Sequence, residues 1–177
     1  MRLPCIAWCP GAVPAGVECN EIATAMDFLP TFVKLAGGTV PEGRPIDGKD
    51  ITPLLLQEDG ARSPHQEFCY FHRGSLDAVR KGPWKLHFRK KQQEVQELYD
   101  LREDVGETTN LYQQHPEVVQ ELTEIAGRYR AELGDAAMGI EGTGRRPVGR
   151  VEDNRTLTRF DPSHPYFAAE YDLGEGG

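Results

Sequence analysis

The run Leu3-Pro4-Cys5-Ile6-Ala7-Trp8-Cys9, closed by Pro10-Gly11, restricts the fold of this chain more than any other feature. A short apolar run without alternation suits a strand buried on both faces. Such a strand needs a hydrogen-bonded neighbour on each edge, because unpaired backbone groups are costly away from water. A turn-rich stretch runs from Pro10 to Gly16, and a helix is expected from about Asp27 to Ala36. In that helix Asp27 can cap the free N–H groups, and Pro30 falls in the first turn, where a missing donor costs little. Phe28, Phe32 and Leu35 recur at i, i+4 and i+7 as one buried stripe, and Gly37-Gly38 ends the element. One strand and one helix cannot close a sheet. The N-terminal third reads as the edge of something larger.

Residues 39–66 are loop-like, rich in Pro and Gly, with a short apolar turn over Ile51 to Leu56. From Phe68 the pattern changes to alternation. Trp84, Leu86 and Phe88 face one way and Lys85, His87 and Arg89 the other, as in a half-buried antiparallel strand. Phe68 to Phe71, Leu76 to Arg80 and Glu97 to Leu101 read as three more strands, with hairpins at His72-Arg73-Gly74-Ser75 and Lys81-Gly82-Pro83. The last clear element is a long helix: Pro116 at its first position, Val118, Leu122, Ile125, Ala126, Tyr129 and Leu133 along one stripe, and Gly134 as its stop. That stripe is expected to cover the Trp84 face of the sheet. Beyond Gly134 the chain is rich in Gly and Arg, and Phe160, Tyr166, Phe167 and Tyr171 favour docking of the last stretch.

The 177 residues carry a net charge of −8, which argues against nucleic acid as a partner, and no apolar run is long enough for a membrane span. The strip Arg80, Lys81, Lys85, Arg89, Lys90 and Lys91 is therefore read as a solvated face. Cys5, Cys9, Cys19 and Cys69 lack the paired spacing of a zinc site and are read as small buried hydrophobes. No phosphate-cradling loop, helical His pair or calcium loop is present, because Arg102 occupies a ligand position in Asp100-Leu101-Arg102-Glu103-Asp104. The residues alone lead to an α+β module with an unpaired N-terminal edge.

Several blocks, in order over residues 2–122, resemble the C-terminal portion of the sulfatase family, arylsulfatase-like members of the alkaline-phosphatase-like superfamily. Arg2-Leu3-Pro4-Cys5-Ile6-Ala7-Trp8 with Pro10-Gly11 is similar to the family's Arg-Val-Pro…Trp-Pro-Gly strand, and Met26-Asp27-Phe28-Leu29-Pro30-Thr31-Phe32 to its Asp-Leu-x-Pro-Thr helix. Ile46-Asp47-Gly48-Lys49-Asp50-Ile51 resembles the Asp-Gly segment before the C-terminal subdomain. Ala78-Val79-Arg80, Trp84-Lys85-Leu86 and Leu98-Tyr99-Asp100-Leu101, with Asp104, Glu107, Asn110 and Leu111, complete the set.

The resemblance implies an α+β fold in three parts. Residues 1–58 would be the C-terminal edge of an incomplete α/β catalytic domain, contributing a strand and a helix. Residues 59–134 would be a four-stranded antiparallel sheet covered by one long helix, and residues 135–177 an irregular tail. Met1 falls where the family often has a residue between Glu-Gly-Gly and Arg, so the expectation is an internal methionine or a partial sequence. The complete family enzyme hydrolyses sulfate esters of small molecules or glycans with a formylglycine nucleophile and a calcium ion. None of those groups can be assigned here: no catalytic or metal residue is expected in this chain, which should be inactive alone, and the missing N-terminal sulfatase domain is its implied partner. Cys69-Tyr70-Phe71-His72-Arg73 mimics the formylglycine motif, but Phe71 stands where Pro is required and the stretch reads as a strand. His72 and Arg73, at a hairpin tip, are the candidate substrate-binding residues, and Asp47 and Lys49 are candidates near the domain junction. The alternative is a non-catalytic α+β packing or binding module.

Overall fold

A computed structural model of the chain describes residues 3–43 and 45–146. Its centre is a four-stranded antiparallel sheet in the order β1-β2-β3-β4, with β1 at Glu67–His72, β2 at Ser75–Lys81, β3 at Trp84–Lys90 and β4 at Gln93–Asp100. The meander arises from the alternation of its strands and from short turns. Arg73-Gly74 and Gly82-Pro83 close the first two hairpins, as their composition predicts. The third turn, Lys91-Gln92, holds two residues at φ 50° and 68° and carries no Gly or Asn to announce it.

One helix, α3 at Pro116–Leu133, covers one face of this sheet. Leu122, Ile125 and Ala126 pack against Leu76, Val79, Leu86 and Leu98, all essentially removed from solvent, with Cys69, Trp84, Phe88 and Tyr129 at the margin. A register shift between Tyr70 and Phe71 places Leu76 on the same face as Val79, where strict alternation would separate them. Helix α3 begins at Pro116 and stops at Gly134, where φ is +84° and a Cβ would lie 2.6 Å from the Ile140 carbonyl oxygen. Only glycine meets both demands. Residues 135–144 fold back on the end of α3: Asp135 bridges to Ile140, and the amides of Thr143 and Gly144 donate to the carbonyls of Ala131 and Glu132. The aromatic residues expected to dock the last stretch lie outside the described residues.

The N-terminal part differs from the expected arrangement in four respects. Residues 3–9 form no strand, and Leu3, Ile6 and Trp8 are 80%, 93% and 82% exposed, because the described residues offer their backbone no neighbouring strand. Helix α1, Phe28–Leu35, forms where expected, but the stripe Phe28, Phe32 and Leu35 faces solvent while Asp27, Pro30 and Thr31 are buried. The Asp27 carboxylate does not cap α1; it is used elsewhere. Cys5, Cys9 and Cys19 are exposed rather than buried, as the chain around them has no core to enter. The apolar turn of residues 51–56 is a single helical turn, α2 at Thr52–Leu55, with Ile51 and Leu54 buried.

Candidate functional site

His72 and Arg73 stand at the β1–β2 hairpin, both exposed. Arg73 adopts φ 51° and Gly74 φ 79°, the paired positive angles of a tight two-residue turn. The turn is braced from behind, since the amide of Ala136 donates to the Gly74 carbonyl (2.9 Å) and that of Ala137 to Ser75 Oγ (3.1 Å). Two cation-capable side chains are thus presented on a fixed backbone.

Cys69 lies inside β1, half-buried beneath α3, and burial pushes its thiol up to about 12, with the Glu67 carboxylate adding to the shift. A thiol held so firmly protonated is a packing group, not a nucleophile. Asp47 is exposed, whereas the Lys49 ammonium donates to the Pro64 carbonyl at 3.2 Å.

The basic strip is not a uniformly solvated face. Lys85 is only 4% exposed. Its ammonium sits 2.6 Å from Glu107 Oε1 and 4.7 Å from the centre of the Tyr70 ring, because the loop after β4 carries Glu107 back over the outer face of the sheet. His87 is buried beside it, with Nε2 2.9 Å from Glu107 Oε2 yet making no aligned hydrogen bond. Lys90 pairs with Glu97, lies 3.7 Å from Glu107 Oε2, and covers the Tyr99 ring. Burial pushes the His87 imidazole down to about 4; the neighbouring Lys85 ammonium adds to this and Glu107 opposes it. The Glu107 carboxyl is held below its ordinary range: burial would raise it, but the Lys85 hydrogen bond and the surrounding cations prevail. Two cations and two carboxylates balance around a neutral imidazole. The Asn110 side chain ties the same loop to the edge of β4, its Oδ1 accepting from the amide of Leu98 and its Nδ2 donating to the Gln96 carbonyl.

A second buried polar cluster surrounds Asp27, which is fully removed from solvent. Its carboxylate accepts from the amides of Thr24 (2.7 Å) and Lys49 (2.8 Å) and meets His65 Nε2 at 2.7 Å. Burial would raise this carboxyl, but the Lys49, His65 and Thr24 bonds together hold it below its ordinary value. The nearby Ser63 hydroxyl donates to the Ile22 carbonyl at 2.6 Å, while His65 turns to Asp27. Serine, histidine and aspartate are therefore neighbours without forming a proton relay. Asp27, Lys49, Lys85 and Glu107 stand in the family-like blocks, but neither motif nor spacing signals that they meet these partners, because each cluster joins residues far apart in the chain.

Among the described residues no group of three or more His, Cys, Asp or Glu side chains is placed to hold a metal ion. The calcium that the family resemblance implies finds no fitting ligand set among these described residues. Among these residues no helix is long and apolar enough to cross a membrane.

Comparison with known proteins gives a consistent relationship. Residues 1–132 match the family described as N-sulphoglucosamine sulphohydrolase, C-terminal. An arylsulfatase of Hemicentrotus pulcherrimus is 42% identical over 100 residues, covering 56% of this chain and 18% of that protein. Human arylsulfatase A is 33% identical over 183 aligned positions, covering 86% of this chain and 34% of that protein. Among solved structures, Ps i-CgsB, also solved in complex with k-i-k-neocarrahexaose, shares the fold with a TM-score of 0.58 at 23% identity, over 76% of this chain and 30% of that one. The chain thus spans between about a sixth and a third of the length of these relatives.

Proposed function

The chain belongs to the sulfatase family, as its C-terminal portion, and on that premise we propose that it completes a sulfate-ester hydrolase whose reactive groups lie in an N-terminal sulfatase domain outside these 177 residues. The observation that carries this reading is the apolar surface of the N-terminal part. Ile6 and Trp8 are 93% and 82% exposed, and Phe28 and Phe32 stack on each other at 5.7 Å with their outer faces in water. Large exposed apolar surface of this kind marks an interface.

In this arrangement residues 1–58 form the edge of the catalytic domain, residues 59–134 the C-terminal subdomain, and residues 135–177 its tail. His72 and Arg73, on their braced turn, border the substrate cleft and meet the anionic sulfate or its leaving group. The enzyme's calcium and formylglycine belong to the N-terminal domain, and its substrate is a sulfated small molecule or glycan.

Two measurements test the assignment. The chain alone is expected to leave 4-nitrophenyl sulfate unhydrolysed, with or without calcium; turnover above a heat-killed control refutes it. A chimera in which this chain replaces the matching C-terminal region of the Hemicentrotus arylsulfatase is expected to hydrolyse the ester, with KM raised by replacing His72 and Arg73 with alanine. An inactive chimera beside an active parent counts against the proposal.

A further inference from the structure

The exposed apolar side chains of α1 are held in place by some of the most buried polar atoms among the described residues. Asp27, at the N-cap of α1, and Thr31, one turn further on, face inward: the Asp27 carboxylate accepts from the Lys49 amide, and Thr31 Oγ1 accepts from the Ile51 amide at 3.0 Å. Positions i and i+4 of a helix are about 6 Å apart along its axis, and alternate residues of an extended chain are separated by about 6.6 Å. Two helical side chains can therefore satisfy two alternate backbone donors, as a neighbouring strand would.

Gly48 permits this approach. A Cβ there would lie 1.8 Å from the Met26 carbonyl oxygen, so only a hydrogen lets the 48–51 segment lie against the start of the helix. Asp50 adds a third tie, reaching the Lys34 ammonium at 2.6 Å while also accepting from the amide of Thr52 at 2.9 Å. His65 closes the back of the cluster on Asp27.

We propose that Asp27, Thr31 and Gly48 form a polar clamp that fixes α1 with its apolar side outward, as a docking face set before the N-terminal sulfatase domain arrives. The choice of that domain as occupant rests on the function proposed above; the clamp itself rests on hydrogen bonds within this chain. Asp27 and Thr31 are positioning residues: they touch neither substrate nor partner, and they decide which side of the helix is offered.

The test uses the full chain and amide hydrogen exchange resolved along its length. In Asp27→Ala and Thr31→Val, amides of α1 are expected to exchange at least tenfold faster, while those of β2, β3 and α3 keep their rates. Thr31→Ser retains the acceptor oxygen and is expected to match the parent. Unchanged exchange in α1 in both Asp27→Ala and Thr31→Val overturns the clamp, and so does loss of sheet protection in Thr31→Val, which would make Thr31 a core residue. Binding to the Hemicentrotus arylsulfatase lacking its matched C-terminal region then tests the docking role. The parent chain is expected to bind, and the Asp27→Ala and Thr31→Val variants at least tenfold more weakly. If parent and variants bind equally, the clamp fails as a docking device. If the parent does not bind, the chosen partner is wrong, while the exchange data still decide the clamp.

Discussion

Acidification should strike this protein first at His87. The imidazole is buried on the outer face of the sheet between Lys85, Glu107, Lys90, Glu97 and Tyr99, where two cations and two carboxylates already balance. A proton on His87 adds a charge beside a Glu107 carboxylate that Lys85 and Lys90 already engage. Its folded value of about 4 lies below the ordinary 6.5, so the unfolded chain binds this proton more readily than the folded one. Stability is therefore complete above pH 6.5, falls as the pH drops below that value, and has lost the whole contribution once the pH passes below 4. The full difference corresponds to about 3 kcal/mol, and about 2 kcal/mol of it is already lost at pH 5. Urea denaturation at pH 7 and pH 5, on the parent and on His87→Gln, isolates this group from the other histidines. The parent is expected to lose about 2 kcal/mol more than the variant over that interval. Equal losses in the two proteins would refute the argument, because the cost would then lie elsewhere.

The packing of the sheet and its turns sets two further outcomes. Leu122→Ala removes a fully buried side chain between α3 and the sheet and is expected to cost about 2–5 kcal/mol in urea denaturation; a loss below about 1 kcal/mol would mean that α3 does not close the core. Replacing Lys91-Gln92 by Asn-Gly relieves two residues held at φ 50° and 68° and should raise stability by about 1 kcal/mol, measured the same way, whereas a destabilised variant would contradict the turn geometry.

Elements whose cause is local were legible before the structure. Helix α3 is written in its stripe and in Pro116 and Gly134, and the first two hairpins in Arg73-Gly74 and Gly82-Pro83. The third turn was not, since Lys91 and Gln92 take left-handed angles that neither residue advertises. The fate of the basic strip was also hidden: alternation places Lys85 opposite Leu86 but cannot foresee Glu107, 22 positions later, returning to cover it. Among the candidate site residues, His72 and Arg73 were placed at a hairpin tip by turn chemistry, while the Asp27–His65 contact spans 38 positions and left no periodic trace.

Helix α1 shows why period alone cannot orient an element. The same spacing that marks Phe28, Phe32 and Leu35 as one stripe marks Asp27 and Thr31 as another. The two orientations can be weighed. Turning the apolar stripe inward would bury three side chains that are already about half covered, at 39%, 58% and 54% exposure, and would gain about 1 kcal/mol for each. It would also break the bonds from Thr24, Lys49 and His65 to the Asp27 carboxylate and the bond from Ile51 to Thr31. A hydrogen bond to a charged group contributes about 1.5–3 kcal/mol and a neutral one about 1 kcal/mol. Three bonds of the first kind and one of the second outweigh the apolar gain within this chain, so the polar face turns inward. The balance needs no rearrangement when a partner covers the outer face: the apolar gain is then added to the polar ties, and both stripes of the helix are satisfied at once.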